Sequence, residues 1–254
     1  MRTVCQWMMV CLLLPVGTGM AQPEPPSIST DRPDQSESPF IVPKRHFQIE
    51  TGFMYTRATA AGLSAYDLAT TLLRYGLSPR WEVRIGVAYR MESVKGAGKT
   101  GITAGLSGLI IGSKIHLWHE TGRLPATAAV ICLNLPAGND AFSPSKMLPK
   151  LLLAMSHTLS DRFSLSYNLA VEQDEPRGLS RFFSMSLGMG LTPRAGAFVE
   201  LYGSAKNGGD FHTAIDAGLT YQPRRNVQLD TSAGYAWSDR SWFINAGVAV
   251  RLPR

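Results

Sequence analysis

Long apolar runs are almost absent from this 254-residue chain. A helix needs about 20 consecutive apolar residues to cross a bilayer. Only Trp7 to Val16, a run of about ten, approaches that length, and it has the size of a secretory core. No helical span is therefore expected after it. Cysteine is nearly missing too: Cys5, Cys11 and Cys132 are all there is. Charge is sparse at 17% of residues, and the formal excess of +6 is spread without a block of one sign. Nucleic-acid binding needs a clustered basic face, so no nucleic acid is expected as a partner.

The start of the chain reads as an address. Arg2 precedes the apolar run, and Gly19-Met20-Ala21 places small residues where a signal peptidase cuts. Residues 1–21 are expected to be a signal peptide cleaved after Ala21, which marks an exported protein. Cys11 lies inside the run rather than at its end, which argues against a lipoprotein. Once Cys5 and Cys11 leave, Cys132 stands alone and no internal disulfide can form. Residues 22–44 are rich in proline, serine and acids and have no periodicity. They read as an extended periplasmic arm, a plain flexible leader in preference to a plug or a partner-binding segment.

What fills the rest is alternation. From Arg162 to Asp174, Phe163, Leu165, Tyr167, Leu169 and Val171 fall on one face, and Ser164, Ser166, Asn168, Ala170 and Glu172 on the other. Side chains of a strand point alternately to its two faces, so this is a strand with an apolar and a polar side. Twelve such stretches follow one another: His46–Arg57, Tyr66–Leu77, Trp81–Met91, Leu106–His119, Ala126–Leu135, Leu148–Leu159, Arg162–Asp174, Arg181–Leu191, Ala197–Ala205, Phe211–Tyr221, Val227–Trp237 and Trp242–Leu252. Tight turns of one flavour (Ser78-Pro79-Arg80, Ser160-Asp161-Arg162, Thr192-Pro193-Arg194, Pro223-Arg224-Arg225) alternate with looser loops, including Glu92–Gly101 and Pro136–Ser145. An even number of roughly ten-residue strands with short turns at one end is the signature of an outer-membrane barrel. The apolar period is two, which excludes helices.

A soluble β-sandwich alternates as well. Two features favour the barrel. Aromatics gather at strand ends: Phe47 and Tyr55, Trp81 and Tyr89, Tyr221, Tyr235 and Trp237, and Trp242, as in interfacial girdles. The opposite face is small and polar with scattered charge. The expected fold is all-β: a transmembrane antiparallel β-barrel of about 12 strands over residues 45–254, in the outer membrane of a Gram-negative bacterium. Both termini are expected on the periplasmic side.

Thr30-Asp31-Arg32-Pro33-Asp34-Gln35-Ser36-Glu37-Ser38-Pro39, running into Gln48-Ile49-Glu50-Thr51-Gly52-Phe53, resembles the start of a family of outer-membrane transporters catalogued under the MetA pathway of phenol degradation. Leu73-Arg74-Tyr75-Gly76-Leu77 before Trp81-Glu82-Val83-Arg84-Ile85-Gly86 looks like its next hairpin. Gln228-Leu229-Asp230 with Gly234-Tyr235 resembles its penultimate strand. The resemblance implies an outer-membrane barrel and transport. The end of the chain departs from the usual pattern: such barrels finish on an aromatic residue, and here the nearest is Phe243.

The inward face supplies the candidate site. Glu50, Glu82, Arg84, Lys114, Glu172, Glu200, Asp216, Asp230 and Arg251 are expected to line the lumen and the solute path, or else to pair across it. A dozen strands enclose a narrow interior. Catalysis is not expected. Ser156 and His157 are adjacent, so they point to opposite faces, and no Gly-x-Ser-x-Gly elbow is present. His116 and His119, three apart, are read as facing opposite ways, and no metal or cofactor is expected. The function read from the sequence is an outer-membrane channel or transporter passing a small solute, with hydrophobic and aromatic solutes among the candidates. A structural or surface-interaction barrel with a closed lumen is the alternative, and an outer-membrane lipid-modifying enzyme the third. The partners expected are outer-membrane lipid, the solute, and the barrel-assembly machinery during biogenesis.

Overall fold

The computed structural model describes residues 26–59, 61–96, 99–175 and 178–252. The expected signal segment with its cleavage point lies outside them, as do residues 22–25 of the arm. The rest is strand: β1 (Phe47–Ala58), β2 (Leu63–Ser78), β3 (Trp81–Gly96), β4 (Lys99–Leu106), β5 (Leu109–Trp118), β6 (Ala126–Leu135), β7 (Leu148–Thr158), β8 (Phe163–Asp174), β9 (Gly178–Thr192), β10 (Ala195–Lys206), β11 (His212–Arg224), β12 (Val227–Ala236) and β13 (Ser241–Leu252). Neighbours pair antiparallel, and β1 pairs with β13 from Phe47↔Leu252 to Ala58↔Ser241, so the sheet closes on itself. The first half of β3 pairs with β5 and the second half with β4. β4 and β5 are thus two halves of one strand, interrupted at Ser107-Gly108, where the Ser107 N–H donates to the Ala88 carbonyl at 2.8 Å. Around its circumference the barrel has the expected twelve strands.

Closure has a physical cause. An unpaired backbone group costs several kcal/mol in hydrocarbon, so a sheet in lipid must have no open edge. The outer surface fits that solvent. Ile85, Leu169, Leu187, Leu219, Leu229 and Ile244 are among many large apolar side chains left exposed on it. A soluble monomer rarely exposes an apolar patch above a few hundred Å². Aromatic contacts occur towards one rim, where Tyr55 packs against Tyr66 (4.9 Å between ring centres) and Trp242 (5.4 Å). Trp81 and Tyr221 are exposed near the other. The turns at 79–80, 159–162, 193–194 and 225–226 share that second rim with the start of β1 and the end of β13. The loops at 136–147, 207–211 and 237–240 lie at the opposite rim.

Two sequence expectations change here. Residues 92–101 are mostly strand, not loop: β3 continues to Gly96, β4 starts at Lys99, and the two pair from Tyr89↔Leu106 to Gly96↔Lys99. Glycine and lysine there hid a hairpin arm. His116 and His119 do not face apart; His116 Nε2 lies 3.0 Å from His119 Nδ1. The reason is a bulge between His116 and Trp118, after which β5 ends, so strict alternation no longer applies. The same bulge leaves Trp118 exposed among the large apolar side chains.

Candidate functional site

Residues 26–44 do not trail from the barrel as a flexible leader; they turn into it. The Ile28 N–H donates to the Arg225 carbonyl at the turn rim (2.7 Å). The chain climbs to Asp34 and Ser36, then descends to a bridge between Lys44 and Gly76 just before β1. The two limbs touch through the Ser29 and Ser38 hydroxyls (3.0 Å), and the Ser38 N–H donates to Asp31 (3.0 Å). Prolines explain why this loop stays extended: they withhold an N–H and hold their predecessors out of helical conformation. Its free backbone groups find partners on the inward faces of the strands.

One side of the loop is held by ions. Lys114 Nζ reaches both Asp31 oxygens (2.8 and 2.9 Å), Arg84 also pairs with Asp31, and Arg84 Nη1 contacts Glu37 at 2.5 Å. Arg74 bonds Glu82 through Nε and Nη2 (both 2.9 Å) and Glu50 through Nη1 (2.8 Å). Glu50 and Glu82 turn back to the loop, accepting from the N–H groups of Asp31 (2.9 Å) and Val42 (2.8 Å). Arg74, Lys114, Glu50 and Glu82 are fully buried. Each acid in this cluster meets a base. Such burial is tolerable only with pairing of this kind, because removing one partner leaves a bare charge in low dielectric.

Arg32 secures a second point. It reaches Asp230 (3.0 Å) and Asn245 (2.6 Å) by crossing Gly52 and Gly247, which are register partners across β1 and β13. A Cβ at either glycine would collide with its guanidinium.

The side facing β8 to β10 is held more lightly. The Gln35 N–H and Ser36 Oγ–H donate to Glu200 (2.6 and 2.5 Å), and the Ser36 and Ser184 hydroxyls lie 2.6 Å apart. The Glu37 N–H donates to Asn168 (2.6 Å), which donates back to the Glu37 carbonyl (3.0 Å). No ion pair joins the loop to these three strands among the described residues. Above this seal lies a cavity of about 300 Å³ lined by Lys150, Glu172, Phe182 and Lys206. A buried apolar cluster of Val130, Leu152, Ala154 and Ala170 adjoins it, with Cys132 and Phe182 packed on. Below lies a cavity of about 480 Å³ between the loop and the wall, lined by Ser164, Ser166, Ser186, Gly188 and Gly190. The seal therefore separates two chambers on the same side of the lumen.

The structure brings most of the expected residues together through the arm. Glu50, Glu82, Arg84 and Lys114 belong to the ionic cluster, and Asp230 holds Arg32. Glu200 holds the loop tip. Asp216 stands opposite Glu200 in register, both oxygens without a hydrogen-bond partner. Arg251 sits at the turn rim and donates to the Pro26 carbonyl (2.5 Å). Glu172 is apart from these, at the upper chamber. Sequence reasoning missed Arg74, the centre of the cluster, although alternation with Leu73 and Tyr75 marks it as inward. It also missed Asp31, Arg32 and Glu37, for which no periodic signal exists. Ser156 is buried, and its neighbour His157 instead faces the Tyr167 hydroxyl (3.3 Å) and Glu120 (3.6 Å).

A family model described as "Putative MetA-pathway of phenol degradation" matches residues 30–252, from the inserted arm to the last strand. The chain belongs to that family. Its membership includes the arm, so the inserted loop is part of what the family model recognises. Among solved structures, an outer membrane channel from Pseudomonas putida F1 is similar, with 13% identity, a TM-score of 0.67, and coverage of 84% of this chain and 97% of that one. The KdgM porin in complex with disordered oligogalacturonate is similar at 9% identity, with a TM-score of 0.57 and coverage of 81% and 99%. The β domain of the Bordetella autotransporter BrkA follows at 13% identity, 0.54, 81% and 98%. At such identities the likeness is one of fold, and the fold is that of outer-membrane barrels. No curated protein matches the sequence.

Proposed function

We propose that this family member is an outer-membrane channel for a small organic solute, and that the arm is its gate. The observation that carries the reading is the unequal grip on the arm: buried ion pairs towards β1, β2, β3 and β5, neutral hydrogen bonds and one carboxylate towards β8, β9 and β10. A typical neutral hydrogen bond contributes about 0.5–1.5 kcal/mol net. Breaking a buried ion pair costs about 3–5 kcal/mol. The lightly held side is the side that opens, and it joins the two chambers directly. The path then runs from the Lys150–Phe182 chamber past the Leu152–Ala170 cluster to the serine-lined chamber. This aromatic and aliphatic cluster suits a solute with an apolar or aromatic body. Glu172 would meet the solute first. Glu50, Glu82, Arg84, Lys114 and Asp230 hold the arm and only indirectly set passage. Residues 1–21 serve export, 22–44 form the gate segment, and 45–254 the barrel. The turn rim faces the periplasm, and the barrel-assembly machinery inserts the chain.

The rival is a barrel closed for good, which the dense ionic packing favours. Single-channel conductance in planar bilayers separates them. The intact chain should show rare, small steps. Ser36→Ala with Asn168→Ala should raise the open fraction severalfold, and deletion of residues 26–43 should give larger, steady steps. Silence in all three, with heat-modifiable mobility confirming folded barrels, would make the rival correct.

A further inference from the structure

The tight turns share a feature that passage does not use. Arg80, Arg123, Arg162, Arg194 and Arg224 stand at successive turns of one rim, and all are exposed. None makes an ion pair among the described residues, whereas Arg32, Arg74, Arg84 and Arg90 inside the barrel all do. Lys44 and Arg45, exposed just before β1, extend the series past the strand seam. The acids within this rim are Glu120 and Asp161; Glu120 is engaged with the Thr158 N–H (2.9 Å) and His157. The opposite rim is different. Its described loops and strand ends carry Asp140, Asp174, Glu175, Asp210 and Asp239 against Lys95, Lys146, Lys206 and Arg240. The turn rim thus sets these seven exposed cations against two acids.

We infer that this arginine collar binds the headgroups of anionic phospholipids in the leaflet around the turn rim. The distribution selects the partner. A folded protein would meet one arc of the rim. A membrane surface encircles the barrel and meets every turn at once. The collar is also continuous with the apolar belt. Trp81 follows Arg80 directly, Phe163 follows Arg162, and both rings are exposed on the barrel surface. An arginine beside an interfacial aromatic can lay its methylenes on apolar surface and keep its guanidinium among phosphates. Guanidinium matches phosphate with paired, parallel N–H donors, which ammonium cannot do. Near an anionic surface each such residue is worth about fivefold in association, so several acting together give marked selectivity. The collar would fix the depth of the barrel and hold a shell of anionic lipid at the mouth through which the arm enters.

The test uses the full chain refolded into phosphatidylcholine bilayers. The association of spin-labelled phosphatidylglycerol is measured against spin-labelled phosphatidylcholine. Preference for phosphatidylglycerol by several fold is the expected result, falling as salt is raised. Arg80→Gln with Arg123→Gln and Arg194→Gln should remove most of it while heat-modifiable mobility stays unchanged. Lys95→Gln with Arg240→Gln at the other rim should leave it intact. Equal association of the two lipids with the parent protein would overturn the inference. So would a preference that survives the triple substitution, one lost equally with the opposite-rim pair, or one abolished by millimolar glycerol phosphate, which would mean a site for free phosphate.

Discussion

Arg74 has three carboxylates within reach, those of Glu50, Glu82 and Asp31, and full burial leaves water no access to any replacement. Arg74→Leu should lower stability by about 3–5 kcal/mol, read as the denaturant midpoint of tryptophan fluorescence in bilayers. An unchanged midpoint would mean the cluster is not a clamp. Asp216 gives the opposite sign. It faces Glu200, neither is ion-paired among the described residues, and both Asp216 oxygens lack partners. Asp216→Asn, whose amide can donate to Glu200 where a carboxylate cannot, should raise stability by about 1–3 kcal/mol, the cost of an unsatisfied buried polar group, read as a higher midpoint. Whether a residue faces inward was legible in the sequence, because a strand enforces period two. What each inward charge touches was not. Asp31 lies 43 positions from Arg74 and 83 from Lys114 by subtraction of their numbers, and its segment has no period to place it.

Elements were legible where alternation is regular and turns are polar. The failures at residues 92–101 and at His116–His119 have separate causes. The first stretch has too few apolar side chains to show a period, and pairing with β3 decides it. The second contains a bulge, an extra residue that alternation cannot anticipate. Loop elements carry their own switches. Glu175 accepts from the Ser145 N–H (2.6 Å) and hydroxyl (2.8 Å), tying the 136–147 loop to the end of β8. The Ser145 hydroxyl holds the Glu175 carboxyl below the usual glutamate range. A depressed pKa in the folded state gives stabilisation that is present above the ordinary glutamate value and lost as pH falls through the depressed one. The Ser145 amide should therefore be protected from hydrogen exchange at pH 6 and lose that protection as pH drops below the ordinary range. In Glu175→Gln the pH dependence should vanish.

At the scale of the whole molecule, the apolar belt, the closed sheet and the even strand count all follow from alternation, so the architecture could be read without coordinates. The filled interior could not, since nothing in a proline-rich leader says which way it points. That interior has a bearing on how the barrel forms. The first and last strands, β1 and β13, meet at a seam, and Arg32 lies across it, over Gly52 and Gly247, bonded to Asn245 on β13 and Asp230 on β12. Arg32→Gln should slow appearance of the compact electrophoretic form during refolding into vesicles by several fold; an unchanged rate would separate arm seating from closure. The segment that fills the interior is then also the one laid across the seam. A chain still waiting for its last strand already carries, ahead of its first, the side chain that will grip it.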